Sequence, residues 1–273
     1  MDDTTPGPDL VALKGTQHRI WSSGDYARIA WITAPLADRL VAAVDLVPGR
    51  SVLDIATGTG HVALAAARSF CPSTGIDYVP DLIARARRRA AAEGLDVTFE
   101  VGDAEALPYA DGRFDQVLSA IGIMFTADHR RAAGEMVRVC RPGGRIGLAN
   151  WTASGFIGRM LQTVGRHVPP PPGAPPATRW GDPQLLAELF DGRIEDLRTR
   201  TAVLRPRFPG VGQFADFFLA HYGPTRTAAA RLDDDGRAAL RGDLIGLAEA
   251  ANLVTDGTFV ADWEYLLVAA RRR

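Results

Sequence analysis

Gly58 and Gly60 stand directly after an apolar run, Val52-Leu53-Asp54-Ile55-Ala56, and directly before a small-residue helix from Val62 to Arg68. Strand, tight turn and helix N-terminus in that order open a nucleotide-type site in an α/β sheet. Glycine suits both positions, because a side chain there would hold the backbone away from a ligand and the turn can demand a positive φ. Three carboxylates converge on the same place. Asp54 lies inside the first strand, and Asp77 and Asp103 close the next two. A pocket ringed by negative charge asks for a ligand with positive charge and hydroxyl groups.

Two ligand classes compete for this turn. Gly58-x-Gly60-x-x-Ala63 fits the dinucleotide fingerprint, which accepts alanine at its third small position, and Asp77 falls where that motif places an acid on a ribose. A nicotinamide or flavin oxidoreductase is therefore the alternative. Charge weighs against it. A pyrophosphate about 5 Å from Asp54 at an effective dielectric near 20 costs about 3 kcal/mol per charge pair. S-adenosylmethionine carries a sulfonium, an ammonium and one ribose, and it meets the three carboxylates well. Asp54 and Asp103 could also serve merely as caps of helices or turns, but three acids at consecutive strand ends favour the ligand.

The elements that must position these residues follow in a regular rhythm. The first dozen residues read as a frayed tail, Trp21 to Tyr26 as a turn into a helix, and Leu36 to Val47 as a second helix stopped by Pro48-Gly49. Strands are expected at 51–56, 74–76, 97–101, 114–121 and 145–150, alternating with helices at 62–70, 81–93 and 128–140. Arginines 85, 87, 88 and 89 read as a solvated helix face. This alternation implies an α/β fold with a doubly wound, mostly parallel sheet. After Trp151 the pattern changes. A helix from 154 to 167 precedes the polyproline stretch 168–176, and Asp182-Pro183 opens another helix to Phe190. Segments 196–205 and 258–270 read as an antiparallel pair separated by about fifty mostly helical residues, expected at 211–221 and 226–252. A hairpin needs only a few residues to turn, so the excess is expected to form a helical cap over the carboxyl edge of the sheet.

At 273 residues the chain is long enough for one large domain with its own core. A net charge of −1 disfavours a nucleic-acid partner. Residues 1–7 lack the apolar core of a secretory signal, and no run approaches a membrane span. Two distant cysteines and no cluster with ligand spacing make a disulfide framework or a metal site unexpected. A cytoplasmic location follows as the default, and a homodimer stays open.

The segment from about 50 to 152 resembles the class I S-adenosylmethionine-dependent methyltransferases, in particular the small-molecule branch of ubiquinone and menaquinone biosynthesis. The resemblance rests on Val52-Leu-Asp-Ile-Ala-Thr-Gly-Thr-Gly60, Gly75-Ile-Asp77, Gly102-Asp-Ala-Glu-Ala-Leu-Pro108, Phe114-Asp-Gln-Val-Leu-Ser119 and Arg141-Pro-Gly-Gly-Arg145, in that order. It implies a Rossmann-like methyltransferase fold of seven strands with a C-terminal antiparallel strand. It divides a single domain, 1–273, into a cofactor-binding core at 20–152 and cap or lid insertions at 153–183 and 206–256. It also implies roles. Asp77 would take the ribose hydroxyls, Asp103 the adenine amino group and the Ala104 N–H an adenine ring nitrogen. Tyr78 and Val79 would sandwich the adenine, with Leu107 opposite. Gly58, Gly60, Ala56, Asp54 and Tyr26 would surround the methionyl part, and Ser119 to Ile121 would face the methyl group.

Methyl transfer from a sulfonium is an in-line displacement, so the protein must align the partners and exclude water, and it needs a base only if the acceptor loses a proton. His221 and Tyr222, at the end of a cap helix, are the candidates for that role. The competing view is a nucleophilic acceptor for which proximity suffices. Phe214, Phe217 and Phe218 on the same helix, with Trp21, Trp151 and Trp180, are the expected acceptor wall. Core packing is an equal alternative for each tryptophan, and simple packing also explains the phenylalanines. The function expected is methyl transfer to a small, partly apolar acceptor. A protein that binds the same cofactor without transferring its methyl group, cyclase-like or regulatory, needs the same pocket and stays open.

Overall fold

The computed structural model describes residues 9–273; the expectation for residues 1–7 lies outside them. Helix α1 (Leu10–Ser23) is capped by Asp9, whose carboxylate accepts from the Val11 and Ala12 N–H groups. Residues 10–12, read as part of a tail, are therefore helical, and Trp21 lies in a helix rather than a turn. Only Leu13 of α1 is buried. Helix α2 (Tyr26–Val44) runs straight through Pro35. The sequence reading instead places two helices here, the second starting at Leu36; a proline inside a helix removes one amide donor. Pro35 is exposed, so the unpaired Trp31 carbonyl can meet water.

The sheet core follows: β1 (Val52–Ile55), α3 (His61–Arg68), β2 (Ser73–Asp77), α4 (Pro80–Glu93), β3 (Val97–Val101), β4 (Phe114–Ala120), α5 (His129–Val139) and β5 (Cys140–Trp151). Asp128 caps α5 as expected, accepting from the Arg131 N–H at 3.0 Å. Beyond it come α6 (Phe156–His167), α7 (Pro183–Phe190), β6 (Ile194–Leu204), β7 (Arg207–Phe208), α8 (Val211–His221), α9 (Gly223–Ala229), α10 (Asp234–Ala251), β8 (Phe259–Val260) and β9 (Trp263–Arg272). The single helix expected over 226–252 is two helices, because the chain turns at 230–233 and Asp233 caps a new start.

The seven strands run β3-β2-β1-β4-β5-β9-β6. The first five are parallel, and β9 is antiparallel to both β5 and β6. This is the doubly wound sheet that the alternation implied. Strands β1 and β4 are almost wholly buried, as strands covered on both faces must be. Helices α6, α8 and α10 pack on one another, and α9 packs on α1. The arginines of α4 are not a uniformly solvated face. Arg85 reaches Asp25 at 2.8 Å, and Arg89 donates to the Thr59 carbonyl at 2.7 Å, bracing the glycine turn. No helix among the described residues is long and apolar enough to cross a membrane.

Candidate active site

The turn after β1 is shaped by three left-handed residues: Ala56 at φ +53°, Gly58 at +55° and Gly60 at +87°. The two glycines do different work. A Cβ on Gly58 would enter open space, meeting only Tyr26 Cε1 at 3.9 Å. That is a cradle for a ligand. A Cβ on Gly60 would fall 2.8 Å from the Phe99 ring, so this glycine lets α3 pack on the sheet.

Above the turn lies one cavity with about 1060 Å³ of empty space, part of it open to solvent. Asp54, Ala56, Gly58, Asp77, Tyr78, Asp103, Ala104, Tyr26 and Trp21 all line it. Most of the expected cofactor residues thus come together, while Gly60, Val79, Leu107 and Ser119 stand outside the lining. Ser119 is fully buried, donating to the Ile55 carbonyl at 2.7 Å and accepting from the Ile123 N–H at 3.3 Å. It braces the cavity floor.

The carboxylates are held differently. Asp54 is 1 % exposed and accepts from the Thr57 hydroxyl and, at 3.0 Å, from the Ala63 N–H. Burial outweighs those bonds and, with Asp77 nearby, pushes its pKa up to about 7. Asp77 accepts from the Gly58 N–H at 2.9 Å and the Val79 N–H at 3.0 Å, so it ties the turn to β2. Burial pushes it up to about 6 against those bonds. Asp103 sits at the opposite rim, bound to Lys14 Nζ at 2.6 Å. His61 also lines the cavity; burial, then Arg89 and Arg68, hold it down to about 4, so its ring is neutral.

The far end of the cavity is apolar, and it is not built as the sequence suggested. Trp21 and Phe125 lie 4.7 Å apart between ring centroids, and Trp21 meets Tyr26 edge-on at 5.5 Å. Ala30, Thr33 and Leu36 of α2 and Ile121, Gly122 and Thr126 after β4 complete the wall. None of the lining comes from 153–183 or 206–256. Trp180 is wholly buried against His129 and Phe190, and Trp151 packs on Trp263 and Tyr265. Phe214 and Phe218 join a cluster with Phe208, Phe259 and Trp263, and Phe217 covers its edge. This set is core rather than acceptor wall. His221 meets Phe217 edge-on, 4.9 Å between ring centroids, and does not reach the cavity. Tyr222 is buried behind Trp21, 5.9 Å between centroids, where burial and then Tyr26 raise its hydroxyl far above the ordinary range. It stays protonated.

Sequence reasoning named Tyr26 but missed Ala30 and Thr33, which continue its stripe along α2. Positions i, i+4 and i+7 share one helix face, but an interrupted helix hides that spacing. Ile121, expected with Ser119 to face the methyl group, does line the cavity, and its φ of +67° and ψ of −44° turn the chain into the wall. Nothing in the residue type signals that strain.

Residues 52–144 match the family model described as a methyltransferase domain. Across 98 % of both chains, the protein is 40 % identical to an uncharacterised protein of Mycobacterium tuberculosis. It is 42 % identical to a demethylmenaquinone methyltransferase of Deinococcus radiodurans over 57 % of this chain and 70 % of that one. A putative methyltransferase of Bacillus halodurans, 22 % identical, shares the fold with a TM-score of 0.59 over 86 % of this chain and 97 % of the other. The chain belongs to the family of S-adenosylmethionine-dependent methyltransferases. The dinucleotide reading falls with that membership, and the geometry gives a reason. The Ala63 amide at the start of α3, a natural phosphate donor, is already bonded to Asp54.

Proposed function

We propose that the protein transfers a methyl group from S-adenosylmethionine to a small, uncharged, largely apolar acceptor held against Trp21, Tyr26, Thr33, Ile121 and Phe125. One observation carries this reading: a single cavity has carboxylates along one end and an aromatic chamber at the other, with Gly58 and Tyr26 between them. The cofactor supplies an electrophilic methyl group on a sulfonium. In this reading Asp77 holds the ribose hydroxyls, Asp103 and Ala104 the adenine edge, and Asp54 with the Gly58 turn the amino-acid end. Tyr26 spans the junction of the two chambers.

The aromatic chamber offers hydroxyls from Tyr26, Thr33 and Thr126 but no charged side chain, which favours a neutral acceptor. It also offers no base at neutral pH. Burial and then the Asp77 carboxylate push the Tyr26 hydroxyl well above its ordinary value. The acceptor therefore reacts as a ready nucleophile, and the protein contributes alignment and exclusion of water. The helices of 206–256 act at one remove, bracing α1 through α9. The test is release of S-adenosylhomocysteine from S-adenosylmethionine with a panel of small neutral and charged aromatic acceptors. Turnover confined to charged or macromolecular acceptors overturns the reading.

A further inference from the structure

Lys14 is the only lysine in the chain; every other of the 31 lysine and arginine positions is arginine. The surface ion pairs are made with guanidinium groups, and the ammonium is reserved for the rim of the cofactor cavity. There its Nζ lies 2.6 Å from Asp103 and 2.7 Å from Glu105. A compact ammonium can bridge two carboxylates from one atom, which a planar guanidinium fork does poorly.

The two acids are not alike. Glu105 is 2 % exposed, and its other oxygen accepts from the Ala127 N–H at 2.7 Å and the Asp128 N–H at 3.0 Å. It is a fixed post. Asp103 opens onto the cavity, and its other oxygen accepts from the Glu105 N–H at 2.8 Å. Without a cation the two carboxylates would repel each other at the place where Asp103 must be held.

Helix α1 is fastened mainly at its ends. At its C-terminal end Ser23 meets Thr227 at 3.2 Å, Arg226 donates to the Ser23 carbonyl, and the backbones close tightly. A Cβ on Gly24 would fall 2.4 Å from the His221 carbonyl, and one on Gly223 would fall 2.3 Å from that of Ile20. Toward its N-terminal end, Lys14 is the one polar tie from α1 to the sheet core among the described residues. Between these points no side chain of α1 is fully buried; His18 rests edge-on against Tyr78 at 5.3 Å, and Trp21 meets Tyr26, Phe125 and Tyr222. Lys14, Gln17 and Trp21 share the face that lines the cavity. An element anchored at one end, thinly packed along its length and covering a site is built to open locally.

We propose that Lys14 is a positioning residue that latches α1 over the adenine end of the cavity, so that cofactor exchange requires the Lys14 bridge to break. This rests on the cofactor placement given above. The latch governs how fast the cofactor enters and leaves more than how tightly it binds, because both directions pass through the open helix.

The experiment is stopped-flow binding of S-adenosylhomocysteine, followed by tryptophan fluorescence, on the wild type, Lys14→Met and Lys14→Arg. Hydrogen exchange of residues 10–23 is measured in parallel. Lys14→Met is expected to raise the dissociation rate tenfold or more and the association rate as well. It should also abolish the slowing of α1 exchange that the cofactor causes in the wild type, with Lys14→Arg intermediate. Raising salt should speed release from the wild type and leave Lys14→Met unchanged, since an ion pair is screened. Unchanged release and α1 exchange in Lys14→Met would overturn the latch while leaving the cofactor site intact. Faster association with unchanged release would make Lys14 a competitor for Asp103 and overturn it too. No binding to the wild type would instead remove the cofactor reading on which the latch rests.

Discussion

Ala56 and Gly122 meet back to back beneath the cavity: a Cβ on Gly122 would lie 2.5 Å from both the Ala56 Cβ and the Ala56 carbonyl oxygen. The ends of β1 and β4 can approach this closely only because one partner lacks a side chain. Gly122→Ala is therefore expected to wedge the two strand ends apart. Overpacking of this kind costs about 1–3 kcal/mol, a fall of several degrees in Tm at roughly 2–4 °C per kcal/mol. Cofactor affinity should drop with it. Thermal melts with and without S-adenosylhomocysteine check this, and an unchanged Tm refutes the close contact.

Asp77→Ala should weaken S-adenosylhomocysteine by about 2–3 kcal/mol, since two hydrogen bonds to a charged acceptor are lost and the Gly58 and Val79 amides are left unpaired. Titration calorimetry measures it directly. NAD should show no binding to the wild type in the same cell. Equal affinities for Asp77→Ala and wild type would remove Asp77 from the site.

Asp54 and Asp77 make the cofactor's effect dependent on pH. Their ordinary value is 3.8, and in the folded protein burial raises them to about 7 and about 6. The folded state then holds these protons to a higher pH than the unfolded chain does. Their contribution to stability is fully present below 3.8 and lost as pH rises through 6 to 7. A ligand with an ammonium group favours the ionised carboxylates, so its affinity should rise through that same window. The shift in Tm caused by S-adenosylhomocysteine should be larger at pH 8 than at pH 5.5. Asp54→Asn should flatten this trend and stabilise the ligand-free protein at pH 8. A shift independent of pH would contradict the burial of both charges.

In the proposed reading the aromatic chamber holds the acceptor and the carboxylate end holds the cofactor. Phe125→Ala and Thr33→Val should raise KM for the acceptor or lower kcat/KM about tenfold, with S-adenosylhomocysteine affinity within about threefold. Phe214→Leu should lower Tm and leave the KM for the acceptor alone, because its ring lies in the cluster around Phe208 and Phe259. The reverse pattern in steady-state kinetics would return the acceptor to the 206–256 helices.

His221 lies against Phe217 and off the cavity. His221→Ala is expected to change turnover only a few-fold and to leave the pH–rate profile in shape. Loss of a hundredfold, with a limb near pH 6–7 removed, would restore it as a general base.

The carboxylate end of the cavity was largely legible in the sequence and the aromatic end only in part, for one physical reason. Asp54, Gly58, Asp77 and Asp103 occupy strand ends and a tight turn, where residue type and spacing determine position directly. The aromatic residues carry no such signature. Trp21 reached the cavity while Trp180 and Phe214 went into the core, and all three are large apolar side chains whose destination depends on packing between distant elements. Much of the α2 wall was lost because the sequence reading began its second helix at Leu36, whereas α2 is one helix from Tyr26 to Val44 with Pro35 facing solvent. The seven-stranded sheet was read almost strand for strand, because alternation at a fixed pitch is a property of the whole segment rather than of any one residue.

Strand β9 lies between β5 and β6, yet it is made after both. While the chain is being synthesised, β5 has a bare edge, and β6 emerges with no neighbour to pair with. The helices from 211 to 251 follow before the missing strand appears. Unpaired edges of this kind recruit other chains. The nascent protein therefore passes through an interval of exposed strand edges that ends only when Trp263 to Arg272 slots into the gap. A stop codon just before Trp263 would make the interval permanent, turning a missing strand into an aggregating protein rather than a slower enzyme.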